Sequence, residues 1–229
     1  MRRPHPSSPP WMAQSEDGAA LAIVLMAMTL VMALGGGVLM VAVTEVRIAA
    51  HYRDGLEALH AADAMVERVR AELRAAADAE AVLTGDFPSA LRDGAPGGER
   101  RIGDATINLT ELTNIERCNS VAPCSPAALD AVTAERPWGR DNPRWRLYSY
   151  GWMSTVTGTA AGQPLYLVAW VADDPYENDG DPLRDGSGAG RGRLALRVRA
   201  YGGHGARRDL DVILAGVPRN PRVIRWTAR

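Results

Sequence analysis

The chain has 229 residues, 46% of them apolar, with 26 basic and 27 acidic side chains and a formal net charge of −1. That length allows one domain or two small ones, at roughly 100–200 residues each. The charge balance excludes a dedicated, strongly basic nucleic-acid binder, and two cysteines exclude a disulfide-dense scaffold or an all-cysteine zinc site. Every basic residue is arginine and none is lysine, which lowers the weight of any arginine cluster as a binding signal.

Residues 1–17 carry Arg2, Arg3, four prolines and the acidic pair Glu16-Asp17. Proline removes backbone donors and fixes φ, so this stretch is expected to form neither a helix nor a core. From Gly18 to Thr44 run 27 residues without a charge, GAALAIVLMAMTLVMALGGGVLMVAVT. As a helix this run would reach roughly 40 Å, more than the ~30 Å hydrocarbon thickness of a bilayer. A soluble core helix of this kind needs burial on every side, which a chain of this size rarely supplies. The run is too long for the usual secretory h-region of about 7–15 residues.

From Glu45 to about Leu83 there is no proline, and alanine, glutamate, arginine and leucine favour helix. Leu56, Leu59, Ala62, Val66, Val69, Leu73 and Ala76 recur every three or four residues and mark one apolar stripe. The apolar and amphipathic segments together predict one helix of about 60 residues, some 90 Å long. Gly35-Gly36-Gly37 is the expected flexible point, since three glycines cost roughly 3 kcal/mol against alanine in water. In a membrane or a bundle the same small residues allow close helix approach, and the sequence does not choose between hinge and contact.

Residues 85–229 change character: ten of the thirteen aromatics fall between Trp138 and Trp226. Alternating runs at 105–112, 144–152, 164–173, 193–202 and 209–217, separated by turn residues, predict antiparallel strands. In 193–202, Leu194, Leu196 and Val198 share one face while Arg197 and Arg199 point the other way, to solvent. A sheet with one buried face needs a cover, and the helical stripe is the candidate. The expected fold class is α+β, a long N-terminal helix on a small antiparallel sheet.

This organisation resembles type IV pilins, in particular the PilX-like minor pilins of type IV pilus assembly. The resemblance is carried by Gly18-Ala19-Ala20-Leu21, the unbroken run to Thr44 and the continuation EVRIAAHYRDGLEALHAADAMVERVRAEL, with Ala-Ala-Asp-Ala at 61–64. The segment 166–201, with its Asp-rich turn, is similar to the C-terminal part of such proteins. The resemblance implies a leader over 1–18, a filament-core helix over 19–44, an amphipathic stalk over 45–84 and a β-rich head over 85–229. It further implies cleavage by a prepilin peptidase after Gly18, methylation of Ala19, and packing of the helix into a filament core. The implied partners are other minor and major pilins, the inner-membrane assembly platform and a pilus-tip adhesin. The implied location is the bacterial inner membrane, head periplasmic, and then the pilus.

Two positions depart from the family pattern. Asp17 stands where most leaders have a basic residue, and Ile23 stands where major pilins carry a glutamate. The missing acid favours a tip or priming subunit over a repeating one. Alternatives are a GspK-like pseudopilin of type II secretion and an uncleaved single-pass anchor.

Cys118 and Cys124 enclose NSVAP; in an oxidising compartment they are expected to form a small-loop disulfide, free or metal-bound thiols being the alternative. Asp173, Asp174, Glu177, Asn178, Asp179, Asp181 and Asp185 gather around glycines, and calcium favours such oxygens on a flexible loop. A solvated hairpin connection is the competing reading, because the spacing misses the EF-hand pattern. His5, His51, His60 and His204 are scattered, with no neighbouring nucleophile and no phosphate loop, so the chain is expected not to be an enzyme. The arginines of the last third (Arg197, Arg199, Arg207, Arg208, Arg219, Arg222, Arg225, Arg229) raise DNA binding as a minor alternative. Solvent-facing strand positions are the preferred reading.

Overall fold

The computed structural model describes residues 16–158, 164–176, 180–186 and 190–229. In chain order the elements are α1 (Glu16–Leu73), α2 (Ala79–Thr84), β1 (Glu99–Ile102), β2 (Ala105–Asn108), α3 (Leu109–Cys118), α4 (Pro126–Leu129), β3 (Arg146–Trp152), α5 (Met153–Thr157), β4 (Tyr166–Asp173), β5 (Arg193–Tyr201), β6 (Arg207–Ala215) and β7 (Arg222–Ala228). The chain divides into two units, residues 1–50 and 51–229.

The first unit consists, in its described part, of α1 residues alone, and every side chain from Gly18 to Ala50 is exposed. The helix takes in Glu16 and Asp17 and runs through Gly35-Gly36-Gly37 without interruption. No atom lies within 4 Å of the point where a Cβ would stand on any of the three glycines.

In the second unit the remainder of α1 lies on a five-stranded antiparallel sheet of order β3-β4-β5-β6-β7. Ala58, Ala61, Ala62, Met65, Val66, Val69 and Leu73 are buried with Leu167, Ala169, Val171, Leu194, Leu196, Val198, Leu210, Val212 and Leu214. Of the predicted stripe, Ala62, Val66, Val69, Leu73 and Ala76 are buried in this core and Leu59 partly so, whereas Leu56 is exposed and Ala58, Ala61 and Met65 join instead. The stripe's small residues belong to the same logic, because alanine lets a helix backbone approach a sheet closely, and burying the stripe is worth roughly 25 cal/mol per Å² of apolar surface.

The helix stops at Leu73 instead of running on to Leu83. Ala75 and Ala76 tighten onto Glu72 and Leu73 through i→i−3 bonds of 2.9 and 3.2 Å. Asp78 then starts α2, its Oδ1 accepting from the Ala81 N–H at 2.8 Å. An aspartate cap satisfies an orphan amide, and the turn carries Ala79, Val82 and Leu83 into the same core.

The sheet is not one-sided. A second core holds Ile102, Ile107, Leu109, Trp145, Tyr150, Tyr166, Val168, Trp170 and Ala172 on the opposite face. It is roofed by the β1-β2 hairpin and α3, so all eight residues of β4 are buried. Residues 105–112, predicted as one strand, are split between β2 and α3. Asn108 ends the strand and caps the helix, its Oδ1 accepting from Thr110 and Glu111 N–H at 2.9 and 3.3 Å. The β1-β2 turn is Gly103-Asp104, where φ of 58° at Gly103 suits a two-residue hairpin.

Candidate functional site

The most exposed apolar surface is α1 itself. Leu21, Ile23, Leu25, Met26, Leu30, Val31, Met32, Leu34, Val38, Leu39 and Met40 are each more than half exposed. Its only side-chain polar groups between Gly18 and Thr44 are two hydroxyls. Thr29 donates to the Met26 carbonyl at 2.9 Å and Thr44 to that of Met40 at 2.8 Å, so neither is left for solvent. A helix with all its polar groups satisfied within itself is the form compatible with hydrocarbon. This one is long and apolar enough to cross a membrane. Gly18 and Ala19, the expected processing positions, are helical and exposed. The upstream residues of the expected leader, 1–15, lie outside the described residues.

Cys118 and Cys124 are joined in a disulfide across a separation of 6 residues. It ties the end of α3 to the approach to α4, and Asn114 in the same helix donates from Nδ2 to the Val121 carbonyl inside the loop at 3.1 Å.

The Asp-rich segment uses its carboxylates to shape backbone. Asp173 accepts from the Asp174 N–H at 2.9 Å and Asp174 from that of Tyr176 at 3.2 Å. Asp181 accepts from the Leu183 N–H at 3.1 Å and Asp185 from that of Gly192 at 2.6 Å. Asp174 also faces Arg193 at 3.6 Å. Among the described residues, no three acidic, histidine or cysteine side chains come together as a cation site. Glu177, Asn178 and Asp179 lie outside the described residues.

Arg197 and Arg199 are not solvent-facing, which corrects the strand-surface reading. Arg197 reaches Glu116 and Asp211 while lying 4.6 Å above the Trp145 ring. Arg199 reaches Glu116 at 2.7 Å and Asp209 at 2.8 Å, 5.4 Å from the Trp170 ring. Burial works against both charges, yet the facing carboxylates outweigh it and raise both pKa values above the ordinary arginine value. The reason is α3, which lays Glu116 over β5. Arg207 is held by Asp209 and Arg229 by Asp211. Arg197 and Arg199 thus belong to an internal ion network, while Arg207, Arg208, Arg219, Arg222, Arg225 and Arg229 are exposed.

Of the histidines, His51 and His60 are exposed on α1. His204, in the β5-β6 turn, lies 3.1 Å from the buried Asp54 of α1.

Sequence reasoning missed a cleft of about 850 Å³ beside β7, lined by Arg136, Trp138, Tyr176, Arg225, Thr227 and Arg229 among others. Trp138 and Tyr176 meet edge to face at 5.9 Å on its wall. The signal for β7 was present in Val223-Ile224-Arg225-Trp226, a β-branched and aromatic run opened by Pro221. No sequence signal joins it to Trp138, 88 positions earlier. No family model, curated protein or solved structure matches the chain.

Proposed function

We propose that this chain is a minor pilin that primes or caps assembly of a type IV pilus. One observation carries the reading: a single unbroken helix is uncharged and exposed from Gly18 to Thr44, then buries an alanine-rich stripe against an antiparallel sheet from Ala58 to Leu73. The first part needs apolar surroundings, and either lipid or neighbouring helices supply them. Without a hydrophobic difference between these two environments, packing and close approach decide the exchange. Glycine at 35–37 and alanine at 19, 20, 22 and 27 favour that approach. Before assembly the helix holds the protein in the inner membrane, and prepilin peptidase frees it by cutting after Gly18. The absence of an acid at Ile23 suits a subunit that starts or ends a fibre.

The test is mass spectrometry of the protein from membranes and from sheared filaments. A methylated Ala19 terminus in the filament fraction is the expected result. A polypeptide found only in membranes and still carrying the residues before Gly18 identifies a permanent single-pass anchor and overturns the proposal.

A further inference from the structure

The two edges of the main sheet differ. The outer edge of β3 is occupied: the Asp93 N–H donates to the Tyr150 carbonyl at 3.0 Å, and the Tyr150 N–H donates to the Leu91 carbonyl at 3.0 Å. The outer edge of β7 is unpaired among the described residues. Arg229 and Asp209 exchange both backbone bonds, at 2.9 and 3.4 Å. By antiparallel alternation Thr227 and Arg225 also bond inward to β6, while the amides and carbonyls of Trp226 and Ala228 point outward. Among the described residues no backbone group meets them. Such a row is a ready template for another strand.

We propose that β7 accepts an extended acidic segment of a partner protein as a sixth strand. Charge selects the occupant. The strand carries Arg222 and Arg225, is followed by Arg229 and holds no acid. A second copy of the same edge would set arginine against arginine, so self-pairing is disfavoured.

Arg225 is exposed and, among the described residues, has no carboxylate within ion-pair distance; its guanidinium donates to the Tyr176 hydroxyl at 3.3 Å. Arg225, Thr227 and Arg229 face the cleft, whose wall is the Trp138–Tyr176 pair. Trp226 faces the other side, its indole N–H donating to Asp63 of α1 at 3.1 Å. An added strand therefore alternates: a carboxylate beside Arg225 on the cleft side, where Arg229 is already held by Asp211, and apolar side chains beside Trp226 on the other.

The experiment uses the full-length chain in detergent micelles and a fluorescent ten-residue peptide of alternating glutamate and valine, followed by anisotropy. A lysine-valine peptide and a short double-stranded DNA are the comparison probes. The acidic peptide is expected to bind and to slow hydrogen exchange at Trp226 and Ala228 in the unaltered protein. Arg225→Glu, at an exposed position, is expected to weaken it about tenfold, the size of one charge-assisted contact. Ala228→Pro removes an outward amide without touching the β6 ladder and is expected to weaken binding similarly. Failure of the acidic peptide to bind at millimolar concentration overturns the proposal. So does equal binding of the basic peptide, displacement of the peptide by DNA, or binding indifferent to both variants when their unfolding temperatures match the parent's. None of these outcomes depends on whether Gly18 is cleaved.

Discussion

Glu116 of α3 holds Arg199 of β5 at 2.7 Å, although 83 positions separate them, and both side chains are less than a tenth exposed. The other Glu116 oxygen takes Arg197. One carboxylate thus pins the roof over the second face of the sheet.

Glu116→Ala is expected to destabilise the fold by about 1.5–3 kcal/mol, because Arg197 and Arg199 each lose a buried charge-assisted hydrogen bond while keeping Asp211 and Asp209. Chemical denaturation of the full-length chain in mild detergent measures this. A loss below about 1 kcal/mol, the value of an exposed pair, contradicts it.

Stability is expected to fall in acid through Asp209. Burial pushes its pKa up, but hydrogen bonds from Arg207 and Arg199 outweigh that and hold the carboxyl below its ordinary range. A pKa lower in the folded than in the unfolded chain gives stability that is present above about pH 4 and lost as pH drops through the folded value. Denaturation midpoints measured from pH 7 to pH 2 should decline below about pH 4, and Asp209→Asn should flatten part of that decline.

The alkaline limb runs the other way. Burial, opposed by Arg100, pushes the Tyr166 hydroxyl up to about 12. An unfolded tyrosine ionises near pH 10, so stability is full below about pH 10 and is lost as pH rises towards the folded value. Tyr166→Phe should remove that portion of the loss in an alkaline unfolding series.

Reduction of Cys118–Cys124 should cost about 2 kcal/mol, the loop-closure entropy of so short a ring. Unfolding with and without reductant checks it. The loss should appear equally in a Cys118→Ala, Cys124→Ala double variant.

Ala62→Leu is expected to destabilise by about 1–3 kcal/mol, since Ala62 is fully buried in the helix-sheet core and a larger side chain overpacks it. Ala50→Leu, on an exposed position of the same helix, should leave the melting temperature unchanged. Equal effects at the two positions would contradict the described packing.

Much of the helix-sheet half was legible in the chain. The spacing of Ala62, Val66, Val69 and Leu73 is periodic, and period alone determines which residues share a face. The alternation in β5 likewise separates Leu194, Leu196 and Val198 from Arg197 and Arg199. The break at Leu73 was not legible, since alanine continues a helix by propensity; only the tertiary demand that Val82 and Leu83 reach the sheet favours the Asp78 cap. The cleft was hidden because its walls, Trp138, Tyr176 and Arg225, come from three separate segments.

The sequence by itself determined that one long helix would carry an uncharged stretch and then an apolar stripe, because an unbroken run without charge and a 3.6-residue repeat are both local patterns. It also determined that β5 has two chemically different faces. Whether the arginine face meets water was decided only when α3 laid Glu116 over it, since the cost of burying a charge depends on a partner brought near by the folded chain. The same holds for the edge at β7: a strand's backbone groups are free or paired according to what the rest of the chain places alongside it.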